Sequence, residues 1–254
     1  MRPLKKSSRQ SSLRNFWESV VNIPFGEKGA CVRIRRSEIK CSSRVVKTGL
    51  EKVQEFQRFC LDEVVRRHPS LKLQERAELF VSLFEHALPR QSRVLDIGGG
   101  WGFYAKPLAE RGHYVTVLDV VRPRLQKAPV VLYEGQRIPF EDKSFDVALF
   151  ITTLHHIKTT EDIIREALRV TRKKIIVVED LYHHALGRWW TVLRDRFYNF
   201  EYFGHPCRFK KREEWIASFE QLGCFLAEDK CLYTWLAGLR ILNGVFVFNV
   251  GGVS

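Results

Sequence analysis

The stretch that decides the fold is Val94-Leu95-Asp96-Ile97-Gly98-Gly99-Gly100-Trp101-Gly102, in which an apolar run ends in a carboxylate and four glycines follow within five positions. A segment with helical character, Phe103 to Arg111, comes next and stops at Gly112. This order predicts a β-strand, a tight glycine loop and a helix. Glycines let the backbone approach a ligand closely, and the first N–H groups of a helix are free to bind an anion. The loop is therefore predicted to bind a ligand.

Two acidic residues at strand ends indicate which ligand. Asp96 would repel a pyrophosphate, so it suits a ligand that carries an ammonium group as well as a carboxylate, as the methionyl end of S-adenosylmethionine does. Asp119 ends the next apolar run, where a carboxylate about twenty residues beyond the glycines suits hydrogen bonding to ribose hydroxyls. The glycines alone also fit the loose dinucleotide fingerprint, which leaves an NAD-dependent enzyme as an alternative.

Several segments between residues 90 and 180 together resemble the class I S-adenosylmethionine-dependent methyltransferases of the type 11 group. They are Asp96-x-Gly98-x-Gly100-x-Gly102, Asp119, the run from Ile138 to Val147, and Leu154-His155-His156-Ile157. The resemblance implies S-adenosylmethionine as cofactor. Glu134 and Gly135 fall where the family usually has an acidic residue and a small neighbour against adenine, although Glu replaces the commoner Asp. The expected cofactor-binding residues are Asp96, Gly98, Gly100, Gly102, Asp119, Glu134, Gly135 and Ile151.

The order of strands and helices predicts an α/β fold with a doubly wound, mostly parallel sheet. Its strands are expected at 92–97, 114–119, 129–133, 145–151 and 174–179, with a helix at 160–171. The expected divisions are a basic, partly disordered arm (1–48), amino-terminal helices (49–90), the core (91–180), a lid or insertion (181–222) and antiparallel carboxyl-terminal strands (223–254). Within the last division, strands at 225–232 and 244–250 are expected, joined by residues 233–243.

The net charge of +13 is concentrated near the amino terminus. Residues 1–50 contain 12 Lys or Arg against 3 Asp or Glu, a net charge of +9. Such an arm suits nucleic acid, an anionic membrane surface or an acidic partner, or it is a solvated leader or an organelle transit peptide. The six cysteines show neither a CxxC pair nor a zinc spacing, so they are expected to be reduced thiols of a cytoplasmic protein, one that is at most peripheral at a membrane.

Segment 181–207 is rich in aromatic residues at helical spacing: Leu186, Trp189, Trp190, Leu193, Phe197 and Phe200. Three interpretations compete. The segment is an apolar helix packed on the core, a lid over the acceptor site, or a helix that lies in a membrane interface. Residues 232–250 are not expected to span a membrane, because Arg240, Asn243 and Gly244 fall in the middle of that stretch.

Histidines near the expected mouth of the site are the candidates for a general base. His183 ranks first because it follows the acidic pair Glu179-Asp180 and begins the insertion; His155 is second and Tyr182 third. Because adjacent histidines of an extended chain point in opposite directions, no metal site is expected from His155 and His156 or from His183 and His184. The acceptor is predicted to be a small, lipophilic or aromatic molecule, methylated on O, N or C. The alternatives are RNA or another macromolecule bound through the arm, and a non-catalytic S-adenosylmethionine-binding accessory protein.

Overall fold

The computed structural model describes residues 24–25, 30–31, 49–68, 71–123, 125–199 and 206–251. The expected basic arm, residues 1–48, lies outside the described residues except for a short antiparallel pair, β1 (Pro24–Phe25) with β2 (Ala30–Cys31). The α-helices of the described residues are α1 (Gly49–Arg67), α2 (Leu73–Phe84), α3 (Ala105–Glu110), α4 (Thr160–Val170), α5 (Ala185–Asn199) and α6 (Arg212–Glu220). No helix in the described part of the chain is both long and apolar enough to cross a bilayer.

A seven-stranded sheet forms the centre of the fold. Its strands are β3 (Arg93–Ile97), β4 (Tyr114–Asp119), β5 (Val130–Leu132), β6 (Phe145–Ile151), β7 (Thr171–Asp180), β8 (Cys224–Leu236) and β9 (Leu239–Val250). Their order across the sheet is β5-β4-β3-β6-β7-β9-β8. Strands β3 to β7 pair in parallel, whereas β9 pairs antiparallel with both β7 and β8. The predicted α/β class, with a mostly parallel sheet and antiparallel carboxyl-terminal strands, is confirmed.

Helices cover both faces of the sheet, which explains why the parallel strands are apolar almost throughout. Successive side chains of a strand point to opposite faces. In β6, Ala148 and Phe150 therefore join the core beneath α4 and α6, while Val147 and Leu149 join the core beneath α2. The chain order reverses between the neighbouring strands β3 and β6, and doubly wound sheets bind ligands beside such a reversal, at the carboxyl ends of the strands.

Two local expectations differ from the structure. The helix after the glycine loop begins at Ala105 rather than Phe103 and is only six residues long, so its amino terminus does not directly follow the glycines. Residues 233–243 are not a connection, because β8 and β9 extend through them and meet at a two-residue turn. Ala237 and Gly238 form that turn with φ values of 45° and 81°, a left-handed conformation that matches the twist of a hairpin.

Candidate active site

Two neighbouring cavities open at the carboxyl ends of the parallel strands. The larger has a volume of about 400 Å³ and the smaller about 220 Å³. Both are lined by Gly98, Gly100, Trp101, Thr152 and His156, so they meet over the glycine loop. A ligand that lies across this loop would extend from one cavity into the other.

The glycines of the loop serve different purposes. Gly100 has φ +51°, and a Cβ added to it would meet nothing within 4 Å and would point into open space over the loop. Gly98 also lines both cavities, and a Cβ there would collide with the side chain of Thr153. Gly102 is buried, does not line either cavity, and lies against Ala128, where a Cβ would be 3.0 Å from the Cβ of Ala128. This close packing and its φ of +76° both explain why the position is a glycine.

Asp96 lies beneath the loop rather than on a cavity wall. Its side chain is buried, and a Cβ added to Gly99 would collide with its Oδ2. Both carboxylate oxygens lack a hydrogen-bond partner. Burial, and to a smaller extent the charge of Asp119, raises the pKa of Asp96 to about 7. A buried carboxylate without a donor is costly, and a cation or donor bound above Gly99 would relieve that cost.

Asp119 ends β4 and lines the larger cavity. Its Oδ2 accepts a hydrogen bond from the backbone N–H of Gly100 at 2.9 Å, and its Oδ1 accepts one from Val121 at 3.0 Å. Burial raises the pKa of Asp119, although these two N–H donors oppose the shift. Since a carboxylate can accept about four hydrogen bonds, Asp119 keeps acceptor sites for hydroxyl donors in the larger cavity.

The far wall of the larger cavity is mostly apolar and includes Val120, Tyr133, Gly135 and Ile157. Gly135 has φ +82°, and a Cβ there would lie 3.2 Å from Val120. Glu134, expected beside it, is exposed and does not line either cavity. Ile151 lines the smaller cavity, not the larger one.

Helix α1 contributes Arg58, Leu61 and Asp62 to the lining of the larger cavity. The Trp101 indole N–H donates to Asp62 Oδ1 at 2.6 Å, which ties this helix to the glycine loop. Sequence reasoning did not identify this contact, because the two residues are 39 positions apart.

The imidazole ring of His155 lies between the carboxylates of Glu179 and Asp195. Its Nδ1 lies 2.5 Å from Glu179 Oε2 and its Nε2 lies 3.5 Å from Asp195 Oδ1. The other oxygen of Glu179 accepts the backbone N–H groups of Thr153 and Leu154. Burial alone would lower the pKa of His155, but the charge of Glu179 and the contacts with both acids raise it well above its ordinary value. A buried imidazolium held in this way joins β6, β7 and α5 and is poorly suited to act as a general base.

A second charged contact holds α5 against the sheet. Arg194 donates to Asp180 Oδ2, and Asn243 donates to Asp180 Oδ1 at 2.6 Å. Arg194, Asp195 and Asp180 are all buried and all line the smaller cavity. Helix α5 therefore covers this cavity with its charged face. The interpretation of its apolar stripe as a core-packing face is wrong, because that stripe is exposed.

The structure places the remaining histidines differently from the sequence-based ranking. His183 is exposed and does not line either cavity. His156 is half-buried and lies where the two cavities meet. Residues 154–156 form a 3₁₀ turn and not the extended chain expected, and the ring centroids of His155 and His156 lie 4.0 Å apart. These two rings and Asp195 each bring a potential ligand atom within 4.8 Å of the others.

Part of the chain is similar to known proteins. Residues 95–178 match the family model described as a methyltransferase domain. The demethylmenaquinone methyltransferase of Streptomyces griseus is 30% identical over 102 residues, which cover 37% of this chain and 44% of that protein. The matched part thus spans less than half the length of this relative.

Solved structures agree with the fold. The 1,6-didemethyltoxoflavin-N1-methyltransferase of Burkholderia thailandensis, solved with bound 1,6-didemethyltoxoflavin and S-adenosylhomocysteine, covers 90% of this chain and 98% of its own, with a TM-score of 0.57 and 14% identity. The cyclase SpnF covers 84% of this chain and 100% of its own, with a TM-score of 0.58 and 14% identity. At these identities the likeness concerns the fold alone. The family match makes residues 95–178 similar to methyltransferase domains, and the sheet order gives the chain the fold of the solved methyltransferase.

Proposed function

We propose that this chain transfers a methyl group from S-adenosylmethionine to a small, lipophilic or aromatic acceptor. The observation that carries the proposal is the meeting of two cavities over Gly98 and Gly100, with His156 at the junction. A donor in the larger cavity and an acceptor in the smaller one would face each other at this point. Methyl transfer, the activity in the description of the matched family model, fits this arrangement.

The residues present suit the proposed donor. Asp119 offers acceptors to ribose hydroxyls, and the wall formed by Val120, Tyr133 and Gly135 suits the adenine ring. The buried, unpaired carboxylate of Asp96 beneath Gly99 favours a positively charged group over the loop. The open space beside Gly100 admits the chain of the ligand. In this proposal Gly98, Gly100, Asp119 and Gly135 contact the ligand, Asp96 acts from below, and Ile151 belongs to the acceptor side.

When bound, S-adenosylmethionine supplies an activated methyl group on a sulfonium. The main task of the protein is then to hold the acceptor atom in line with this group and to exclude water. Helix α5 closes the smaller cavity for this purpose through Arg194 and Asp195. If the acceptor must lose a proton, His156 is the histidine placed to accept it. In this proposal His156 takes the role of general base for which the sequence favoured His183 and His155.

The smaller cavity limits the acceptor. A volume of about 220 Å³ suits a small molecule or the reactive head of a longer one. Its walls combine apolar Leu73, Leu236 and Ile241 with polar Arg76 and Asn199. A planar or lipophilic group with one or two polar substituents suits such a lining.

Isothermal titration with S-adenosylmethionine and with S-adenosylhomocysteine tests the donor site. Gly100→Ala should reduce the affinity at least tenfold, because the new Cβ points into the space over the loop. Gly112→Ala is the matched control: Gly112 has φ +83° and nothing within 4 Å of an added Cβ, but it lies outside both cavities. Equal affinities of the two variants would contradict the placement of the donor.

A second candidate is a protein that binds S-adenosylmethionine but does not transfer its methyl group. This candidate is supported by the likeness to SpnF, because a protein named as a cyclase has the same fold and the fold alone therefore does not require methyl transfer. Incubation with methyl-labelled donor and cell extract, followed by separation of lipid, RNA, protein and small molecules, distinguishes the two. Label in the small-molecule or lipid fraction supports the proposed acceptor. Label in RNA or protein supports the macromolecular alternative, and donor binding without labelling supports the second candidate.

A further inference from the structure

The exposed face of α5 is unusual for a protein surface. Leu186, Trp189, Trp190, Leu193 and Phe197 are 78%, 66%, 47%, 45% and 63% exposed. At about 100° per residue these five side chains fall within an arc of roughly 100° on one side of the helix. Surfaces of soluble proteins rarely present such a continuous apolar stripe unless something binds to it.

The neighbouring helix extends the apolar surface. Helix α1 packs against α5 and exposes Phe56 by 65% and Phe59 by 39%. The two rings lie 6.4 Å apart. Two helices in contact thus both present aromatic side chains to the outside, although each contributes to a cavity wall on its inner side.

Charge identifies the surface that would cover this face. Residues 185–199 are all described, and Asp195, their one acidic residue, is buried. Arg188 and Arg196 are exposed on the same helix. Tryptophan, phenylalanine and arginine without exposed acids are typical of a helix that lies in the interface of an anionic bilayer. Residues 51–254 contain 30 Lys or Arg against 26 Asp or Glu, so this part of the chain is also slightly basic, which favours the same surface.

We infer that the exposed stripe of α5, defined by Leu186, Trp189, Trp190, Leu193 and Phe197, docks on an anionic lipid surface. The opposite face of α5 covers the smaller cavity, so docking would bring that cavity to the membrane interface. It follows, if the proposed function holds, that the acceptor is a membrane-resident lipid whose reactive head enters the cavity while its tail stays in the bilayer.

Vesicle flotation with the full-length chain tests this inference. The vesicles are phosphatidylcholine alone, and phosphatidylcholine mixed with phosphatidylglycerol at three to one. Wild-type protein should bind the mixed vesicles more tightly, and part of this binding should persist at about 0.5 M salt, where contacts between exposed charges are screened. Trp189→Ser with Phe197→Ser should lower the vesicle partition coefficient at least tenfold at both salt concentrations.

Phe225→Ser is the matched control, because Phe225 is 47% exposed and is the second residue of β8, at the end farthest from its turn. This variant should bind within twofold of wild type. All three proteins keep residues 1–48, so the contribution of the basic arm is the same in each. Circular dichroism and thermal denaturation verify that the substitutions at these exposed positions leave the fold intact.

Unchanged vesicle binding in the double variant, or no binding of wild type to either vesicle, would overturn the inference. So would a lipid-independent dimer that the double variant abolishes, since that result assigns the stripe to a second copy of the chain. Titration of the same proteins with S-adenosylmethionine keeps the two proposals apart: intact donor affinity with absent vesicle binding refutes the docking surface alone.

Discussion

Replacing Asp96 with Asn should change how the stability of the protein depends on pH. Asp96 is buried without a hydrogen-bond partner, and its pKa is raised from 3.8 to about 7. The folded state therefore retains this proton up to about pH 7, whereas the unfolded chain loses it near pH 4. Between these values the folded state binds more protons, so the contribution of Asp96 to stability falls as the pH rises.

The size of the effect follows from the shift. One pKa unit corresponds to about 1.4 kcal/mol, so about two units between pH 5 and pH 7 correspond to roughly 3 kcal/mol. Asn has no proton to lose, and its buried amide carries a cost that does not vary with pH. The free energy of unfolding of Asp96→Asn should therefore rise by roughly 3 kcal/mol relative to wild type between pH 5 and pH 8.

Urea unfolding at pH 5, 6, 7 and 8 measures this difference. Asp162→Asn, an exposed acid in the first turn of α4, is the control and should show a constant offset from wild type. In parallel, the affinity of wild type for S-adenosylmethionine should rise with pH to about pH 7, if a cationic group of the ligand favours the ionised carboxylate. A pH-independent offset for Asp96→Asn, or a wild type that gains stability relative to it as the pH rises, would show that Asp96 is already paired.

Other substitutions test the contacts that assemble the site. Asp195→Ala leaves the buried His155 with one carboxylate fewer and should lower stability by about 3 kcal/mol, measured by urea unfolding at pH 6. Because the folded pKa of His155 is raised, the stability from its pairing is present below about pH 6.5 and is lost as the pH rises through the folded value; Asp195→Ala should weaken this dependence. Trp101→Phe removes the indole N–H that donates a hydrogen bond to Asp62. This variant should bind S-adenosylmethionine severalfold more weakly in titration calorimetry, with little change in melting temperature. Phe219→Ala removes a fully buried ring and should cost about 3 to 5 kcal/mol, so equal stability would contradict its place in the core.

The sequence by itself determined the parts of the protein that depend on neighbouring residues. The apolar run before Gly98, the acids at the ends of β3 and β4, and the alternation of strands and helices were sufficient to predict the sheet and its ligand edge. These signals are local, because strand period, glycine conformation and chain order act over a few positions. The hairpin of β8 and β9 was only partly predicted, since its turn residues Ala237 and Gly238 are weak turn signals beside the apolar strands.

Only the tertiary structure decided which way α5 faces and what the histidines do. The apolar stripe of α5 has the spacing of a core-packing helix, but the helix buries its opposite side, where Arg194 meets Asp180 and Asp195 meets His155. Asp180 lies 14 positions from Arg194, and His155 lies even farther from Asp195 in sequence, so these charges become compensated only when β6, β7 and α5 come together. The physical reason is that a buried charge is tolerated where its partner is already in place, and that condition is a property of the assembled fold.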